Sequence, residues 1–268
     1  MNDSSASAIS RSNQPLPELI QSACINVSFA LSGKLLPADH GYLIYSAISR
    51  AFPALHGVDW LGIELISGFP SAPGLINLHF PDNSKLGTQN SKLSLRIPAD
   101  HYRDVLPLAG KRLDIGGHQI RLGLPVARPL EPAPSLYARV VTIKKFTEPE
   151  PFLEAVNRQL DSLHVKGTAE LPLDVAQTVS SRSDNLELGT QNSKLQFRYR
   201  RRIVTIHGKS VVGFSVAVHD LNDDDSLKLQ SIGIGGRHAM GCGIFNHYLK
   251  QYHAKLIDKV FAAREGIK

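Results

Sequence analysis

Two histidines, His40 and His56, bracket a segment in which Leu43, Ile44, Ala47, Ile48 and Ala51 recur at helical spacing. That spacing predicts a helix from about His40 to Phe52, with Asp39 as its N-cap and Pro53 as its stop. His40 then sits on the first turn and His56 just past the end, while Tyr42, Tyr45, Ser46, Ser49 and Arg50 fall on the less apolar side. Imidazole has the free pKa closest to neutrality, so a pair can divide general-base and general-acid work. Cleavage of RNA without a metal asks for such a pair. One group takes the 2′-OH proton, another protonates the leaving 5′ oxygen, and a cation or hydroxyl steadies the charge on phosphorus. Each histidine also has a plainer reading: His40 as a polar first-turn residue, His56 as a partner for a loop carbonyl.

A second group lies near the C-terminus, where Gly233, Gly235, Gly236, Gly241 and Gly243 surround Arg237 and His238. An acid-free segment of this kind offers backbone N–H groups and a guanidinium, which suit a polyanion. Just upstream, Arg198, Arg200, Arg201, Arg202 and Lys209 occur between Gln196 and Lys209 with no acidic residue among them. Read alone, that run fits either an anion-binding groove or an edge strand guarded by charge.

The elements that must position these groups fall into two halves. The first opens with a strand from Ile25 to Leu35 and the helix just described. Strand-like runs follow at Val58–Ile66, Leu75–Phe80 and Lys92–Ile97, then a short helix from Ala99 to Leu106. A hairpin, Arg112–Ile115 with Gln119–Leu122, turns at Gly116-Gly117. After a Pro-rich joint at 125–134 the pattern restarts, with a strand (Leu136–Lys144) and a helix (Pro149–Leu163). Strands Lys194–Tyr199, Ile203–His207 and Val211–Val218 precede a helix, Asp223–Gln230, the glycine segment and a closing strand, Cys242–Phe245. Each half approximates β-α-β-β-α-β, so the fold expected is α+β, with tandem ferredoxin-like domains at 18–124 and 135–245. A disordered tail (1–17) and a C-terminal helix (246–268) complete the plan.

The chain carries 30 Lys and Arg against 24 Asp and Glu, a net charge of +6 that favours an anionic partner. Two cysteines are too few for a disulfide framework or a structural zinc site, and there is no signal-like apolar segment, which points to the cytoplasm. No metal-ligand spacing, serine-hydrolase elbow, phosphate-binding NTPase loop or dinucleotide fingerprint is present, so neither metal nor cofactor is expected. Leu86–Leu93 and Leu188–Leu195 are the same octapeptide, and its perfect identity amid divergent surroundings favours a local duplication without chemistry.

The glycine segment, Gly233-x-Gly235, five residues, then Gly241-x-Gly243, resembles the C-terminal glycine-rich loop of the repeat-associated (RAMP) CRISPR proteins. With Leu36–His40, Pro53–His56 and Val212–Val216, the chain from Ala23 to Phe245 is similar to the family of CRISPR-associated protein six, closest to its MYXAN-type branch. The resemblance implies a metal-independent endoribonuclease that binds the hairpin of CRISPR repeat RNA and cuts the precursor transcript by 2′-OH attack. It also implies association with other subunits of a CRISPR effector complex. On this resemblance His56 is the principal acid/base, His40 its partner, and Tyr42 or Ser46 orients the ribose. Arg237, His238 and the loop amides would contact phosphates, and Arg198, Arg200, Arg201 and Arg202 would line the stem groove, with Lys209 beside them. A non-catalytic RNA-binding RAMP subunit is the alternative. The RNA-recognition aromatic signature is missing, so base stacking on an open sheet is not expected.

Overall fold

The computed structural model describes residues 23–79, 91–176 and 196–248. The expected N-terminal tail, most of the expected C-terminal helix and positions 86–90 and 188–195 of the octapeptide lie outside these residues.

The first sheet contains β1 (Cys24–Ser32), β2 (Gly62–Ile63), β3 (Lys92–Pro98), β4 (Arg112–Ile115) and β5 (His118–Pro129). Its spatial order is β2-β3-β1-β5-β4, antiparallel throughout. Helix α1 (Gly41–Ala51) follows β1. After β3 come a 3-10 turn (Ala99–His101), the short helix α2 (Tyr102–Val105) and another 3-10 turn (Leu106–Leu108), in place of the single helix expected from Ala99 to Leu106. Alternation along β1 and β3 sends Val27, Phe29, Leu93, Leu95 and Ile97 into the core, where Ile44, Tyr45, Ala47 and Ile48 of α1 meet them. Each such side chain contributes about 1.5–3 kcal/mol on burial. A small separate sheet joins Leu35–Pro37, Leu75–Asn77 and Phe69–Pro70.

The second sheet contains β6 (Leu136–Val141), β7 (Thr168–Glu170), β8 (Arg201–Ile206), β9 (Lys209–His219) and β10 (Phe245–His247). Its path is β7-β9-β6-β10, with β8 paired to β9. Helix α3 (Pro149–Ser162) starts with proline where no N–H is required, and buries Phe152, Ala155, Val156 and Leu160. Phe152 packs on Phe214 of β9 with ring centroids 4.8 Å apart. Helix α4 (Asp223–Ile232) is capped by Asn222, whose side chain accepts from the Asp225 N–H, and its three aspartates favour the positive end of the dipole.

Several expected boundaries move. The apolar run Val58–Ile66 forms only the two-residue strand β2; Leu61 and Ile66 are buried without joining the ladder. The Pro-rich joint is shorter than expected, because β5 continues to Pro129 and pairs Ile25 with Pro129 on β1. The closing strand is Phe245–His247 rather than Cys242–Phe245: Gly243 instead donates its N–H to the Val140 carbonyl inside the glycine segment. Asp39 does not cap α1. His40 holds the N-cap position without a side-chain cap, and Asp39 accepts the Thr205 N–H at 2.7 Å from the second sheet.

A buried guanidinium helps to join the two halves. Arg96 of β3 is 3% exposed on the face opposite Leu95 and Ile97. It donates to the carbonyls of Gln230 (3.0 Å) and Phe245, to Asn246 Oδ1 (2.8 Å) and Asn26 Oδ1 (3.1 Å), and pairs with Glu64 at 3.1 Å. A buried charge survives only when its donors are satisfied this fully. Among the described residues, no helix is long and apolar enough to cross a membrane.

Candidate functional site

Helix α1 carries the groups of interest along one side, and its two ends treat their histidines differently. His56 lies just beyond the short 3-10 turn Pro53–Leu55 that ends the helix. Pro53 forces Phe52 into an extended conformation (φ −147°, ψ 86°), which stops the helix and turns the chain outward. His56 is exposed, and its Nδ1 stands 3.3 Å from the Tyr45 phenol, with the two rings stacked at 5.8 Å. The same phenol accepts the Gly57 N–H at 3.1 Å, so Tyr45 is held on one side by backbone and on the other by imidazole. Nε2 of His56 has no hydrogen-bond partner among the described residues.

His40 is fully buried. Its Nδ1–H donates to the Pro37 carbonyl at 2.8 Å, and Nε2 accepts the Ile66 N–H at 3.0 Å. Burial outweighs these contacts and lowers its pKa to about 4, so the ring is neutral at pH 7. With both nitrogens committed to backbone it can neither touch a ribose nor exchange protons with His56. This corrects its expected role as catalytic partner: His40 ties the start of α1 to the segment after β2.

The remaining members of the expected cluster divide. Tyr42 is half-buried and meets an imidazole that the sequence reading missed, since its phenol lies 2.9 Å from Nδ1 of His207. Ser46 Oγ accepts from Arg50 at 2.7 Å, and Arg50 also donates to the Asp114 carbonyl at 3.2 Å. Ser46 therefore anchors an arginine on the exposed face of α1.

The glycine segment is packed rather than open. Amides of Ile234, Gly235, Gly236, Gly241, Cys242 and Gly243 donate to Gly243 O, Gln159 Oε1, Thr142 O, His238 O, Arg237 O and Val140 O. The expectation that the glycine amides cradle phosphate is corrected for these positions, because their protons are already used. The His238 ring fills the neck of the loop. A Cβ on Gly233 or Gly243 would stand 3.1 Å or 2.9 Å from its Nε2, and both glycines have positive φ. Burial lowers the pKa of His238, and among the described residues its buried Nε2 has no partner, so this ring is a plug and not a phosphate ligand. Arg237 alone of the expected loop side chains is exposed; its guanidinium rests on Thr142 Oγ1 at 3.2 Å. Cys242, buried nearby, has its thiol pushed up to about 11 and is inert.

The arginine run also divides. Alternation along β8 turns Arg201 outward and Arg202 inward, where its Nε lies 3.4 Å from Ser215 Oγ. Arg202 and Arg200 line a cleft of about 390 Å³ between the halves, together with Arg139, Tyr137, Tyr248 and Glu64. Arg139, another residue the sequence reading missed, donates to the Ile66 carbonyl at 3.2 Å. The Arg198 side chain lies outside the described residues, and Lys209 is exposed at the start of β9. The one sequence signal that could have flagged His207 is the pair His207-Gly208 between two β-rich runs, a two-residue hairpin turn.

Two features, an exposed imidazole held on a tyrosine and an arginine-lined cleft between the halves, meet independent comparisons. Residues 25–248 match the family model described as Cas6 Crispr. The chain is 35% identical over 221 residues to the CRISPR-associated endonuclease Cas6 of Myxococcus xanthus (strain DK1622), covering 82% of this chain and 80% of that one. A solved structure described as CRISPR associated protein Cas6 covers 85% of this chain and 100% of its own at 11% identity and a TM-score of 0.49. One from a Cas6-related gene of Pyrococcus furiosus covers 84% and 98% at 10% identity and a TM-score of 0.48. These structural likenesses are loose, and the sequence matches decide the question. From β1 to the end of β10, this chain is a member of the Cas6 family.

Proposed function

We propose that the chain is an endoribonuclease that binds the hairpin of a CRISPR repeat RNA and cuts the precursor transcript without a metal. The 2′-OH attacks the adjoining phosphorus, leaving a 2′,3′-cyclic phosphate and a 5′-hydroxyl, and His56 is the principal proton-transfer group. The observation that carries this reading is the state of His56: exposed, its Nδ1 held by Tyr45, and its Nε2 without a partner among the described residues. A general acid or base needs such an oriented, reachable nitrogen. The name of the Myxococcus xanthus relative, an endonuclease, supports the same activity. The shared strand order, with each first strand beside the last and the second strand at an edge one strand away from the first, supports reading the two halves as tandem ferredoxin-like units.

Arg200, Arg202 and Arg139 supply cations along the cleft, and Arg237 stands at the surface of the glycine segment. A-form RNA is held chiefly through its backbone, which suits guanidinium groups spread over a groove.

The test is cleavage of a hairpin RNA carrying the CRISPR repeat of the same genome, in EDTA, beside an RNA with 2′-deoxy at the scissile nucleotide. Cutting is expected to survive chelation and to disappear with the deoxy substrate, which still binds. Deoxy RNA cut at the normal rate overturns internal attack; tight binding with no product from either RNA overturns the enzyme in favour of a binding subunit.

A further inference from the structure

We propose that His207, carried on the hairpin turn of the second sheet, is the second proton-transfer group of this site, opposite His56 and in the role expected of His40. The inference rests on the endoribonuclease reading above. Helix α1 presents Tyr42 and Tyr45 one turn apart, and residues so spaced are neighbours on a helix surface. Each phenol meets Nδ1 of an imidazole: Tyr45 that of His56 at 3.3 Å, Tyr42 that of His207 at 2.9 Å. The Tyr42 and His207 rings also touch, with centroids 4.6 Å apart. Both imidazoles are exposed, and among the described residues neither Nε2 has a hydrogen-bond partner. The site thus has two imidazoles presented alike, one from each half of the chain.

The placement of His207 is built into the backbone. Ile206 pairs with Lys209, so β8 and β9 are joined by the two residues His207 and Gly208, at φ 49° and 72°. A turn with positive φ at both positions favours Asn-Gly, and histidine is one of the few other side chains that accept the first of them, so the turn can present an imidazole without strain. The hairpin is also fixed from outside. Among the described residues strand β8 pairs only with β9, and its Thr205 N–H is taken by Asp39 Oδ2 at 2.7 Å. Asp39–Thr205 and Tyr42–His207 together fasten the turn to the first turn of α1. Among the described residues Tyr42 touches His207, and the nearest charged groups on the elements packed at the turn are Asp39, held on the Thr205 N–H, and Lys209, paired with Ile206.

The step balances without a co-reactant. A bond forms between the 2′ oxygen and phosphorus as the bond from phosphorus to the 5′ oxygen breaks. The 2′-OH proton passes to Nε2 of one imidazole, and a proton on Nε2 of the other passes to the 5′ oxygen.

His207→Asn tests this without threatening the fold, since asparagine favours the left-handed turn but cannot titrate. Single-turnover cleavage of the hairpin repeat RNA by the full chain is followed between about pH 5 and 9, where imidazoles titrate. The variant is expected to lose ~10²-fold or more in rate, to bind the 2′-deoxy RNA normally, and to lose one limb of the wild-type pH profile. Tyr42→Phe, which frees His207 without removing it, is expected to slow cleavage less and keep both limbs. A His207→Asn protein that cuts at the wild-type rate, or slows while keeping both limbs, overturns the assignment. Failure of the wider reading looks different: the wild-type chain then yields no product at any pH. If wild type cuts, His56→Ala does not, and His207→Asn is unimpaired, only the role of His207 falls.

Discussion

The two ends of α1 carry the same side chain in opposite states. At its start His40 is sealed in the core with both ring nitrogens on backbone groups; past its end His56 stands in solvent with one nitrogen steadied by Tyr45. Residue type and spacing make the two equivalent, but their surroundings do not. Whether an imidazole can move protons depends on what its second nitrogen touches, and that is decided by strands far away in sequence. Ile66, at the exit from β2, is what takes His40 out of the chemistry.

The contrast is sharpest under substitution. His56→Ala is expected to reduce the single-turnover cleavage rate by ~10²–10⁴, the usual contribution of a general acid or base, with the melting temperature nearly unchanged. An active His56→Ala protein would erase the distinction between the two ends. His40→Ala should show the reverse pattern: a stability loss of about 2–4 kcal/mol, read in urea, from the cavity and from the Pro37 carbonyl and Ile66 N–H left without partners. At temperatures where the variant remains folded, its cleavage rate should stay within about tenfold of wild type, well short of the loss at His56.

Acid titration probes the same buried ring. The pKa of His40 is depressed in the folded chain, from 6.5 to about 4, so the unfolded state binds the proton more readily. Its contribution is complete above about pH 6.5 and falls as the pH drops toward 4. His238, shifted in the same direction by burial, adds to that loss. Wild type should therefore lose more stability between neutral and mildly acid pH than His40→Ala, and parallel curves would count against the buried neutral ring.

The smallest effect separates neighbours on β8. Arg202→Ala, on the cleft side, is expected to weaken binding of repeat RNA and lower the salt slope by about 1. Arg201→Ala, on the outward side, should change both less. Equal losses would mean that the RNA wraps the exposed face of β8 instead of lying in the cleft.

What the sequence made legible was local. Periodicity located α1 and α3, and the aspartate run located the start of α4, while apolar runs located β1, β3 and β9, because apolar spacing reports which face of an element is buried. The glycine segment was recognisable too, but its purpose was not. Glycines that admit a ligand and glycines that admit neighbouring protein atoms look the same in one dimension, and here Gly233 and Gly243 make room for loop carbonyls first and the His238 ring second. Of the candidate site, His56 and Tyr42 stood out through their place around one helix. His207 did not, because its relation to Tyr42 spans 165 positions and exists only once the second sheet has docked. Arg96 escaped for the same reason: in a strand pattern it occupies a solvent-facing position, and only the second half of the chain covers it.

That covered arginine has a mechanical consequence. Its guanidinium grips the carbonyls of Gln230 and Phe245 across the seam, and freeing one side would strand an ionised group in a dry interior, at a cost of about 3–5 kcal/mol. Parting the halves to admit a guest therefore carries that cost, which side-chain rotamers on the walls of the gap avoid when they alone accommodate an incoming strand.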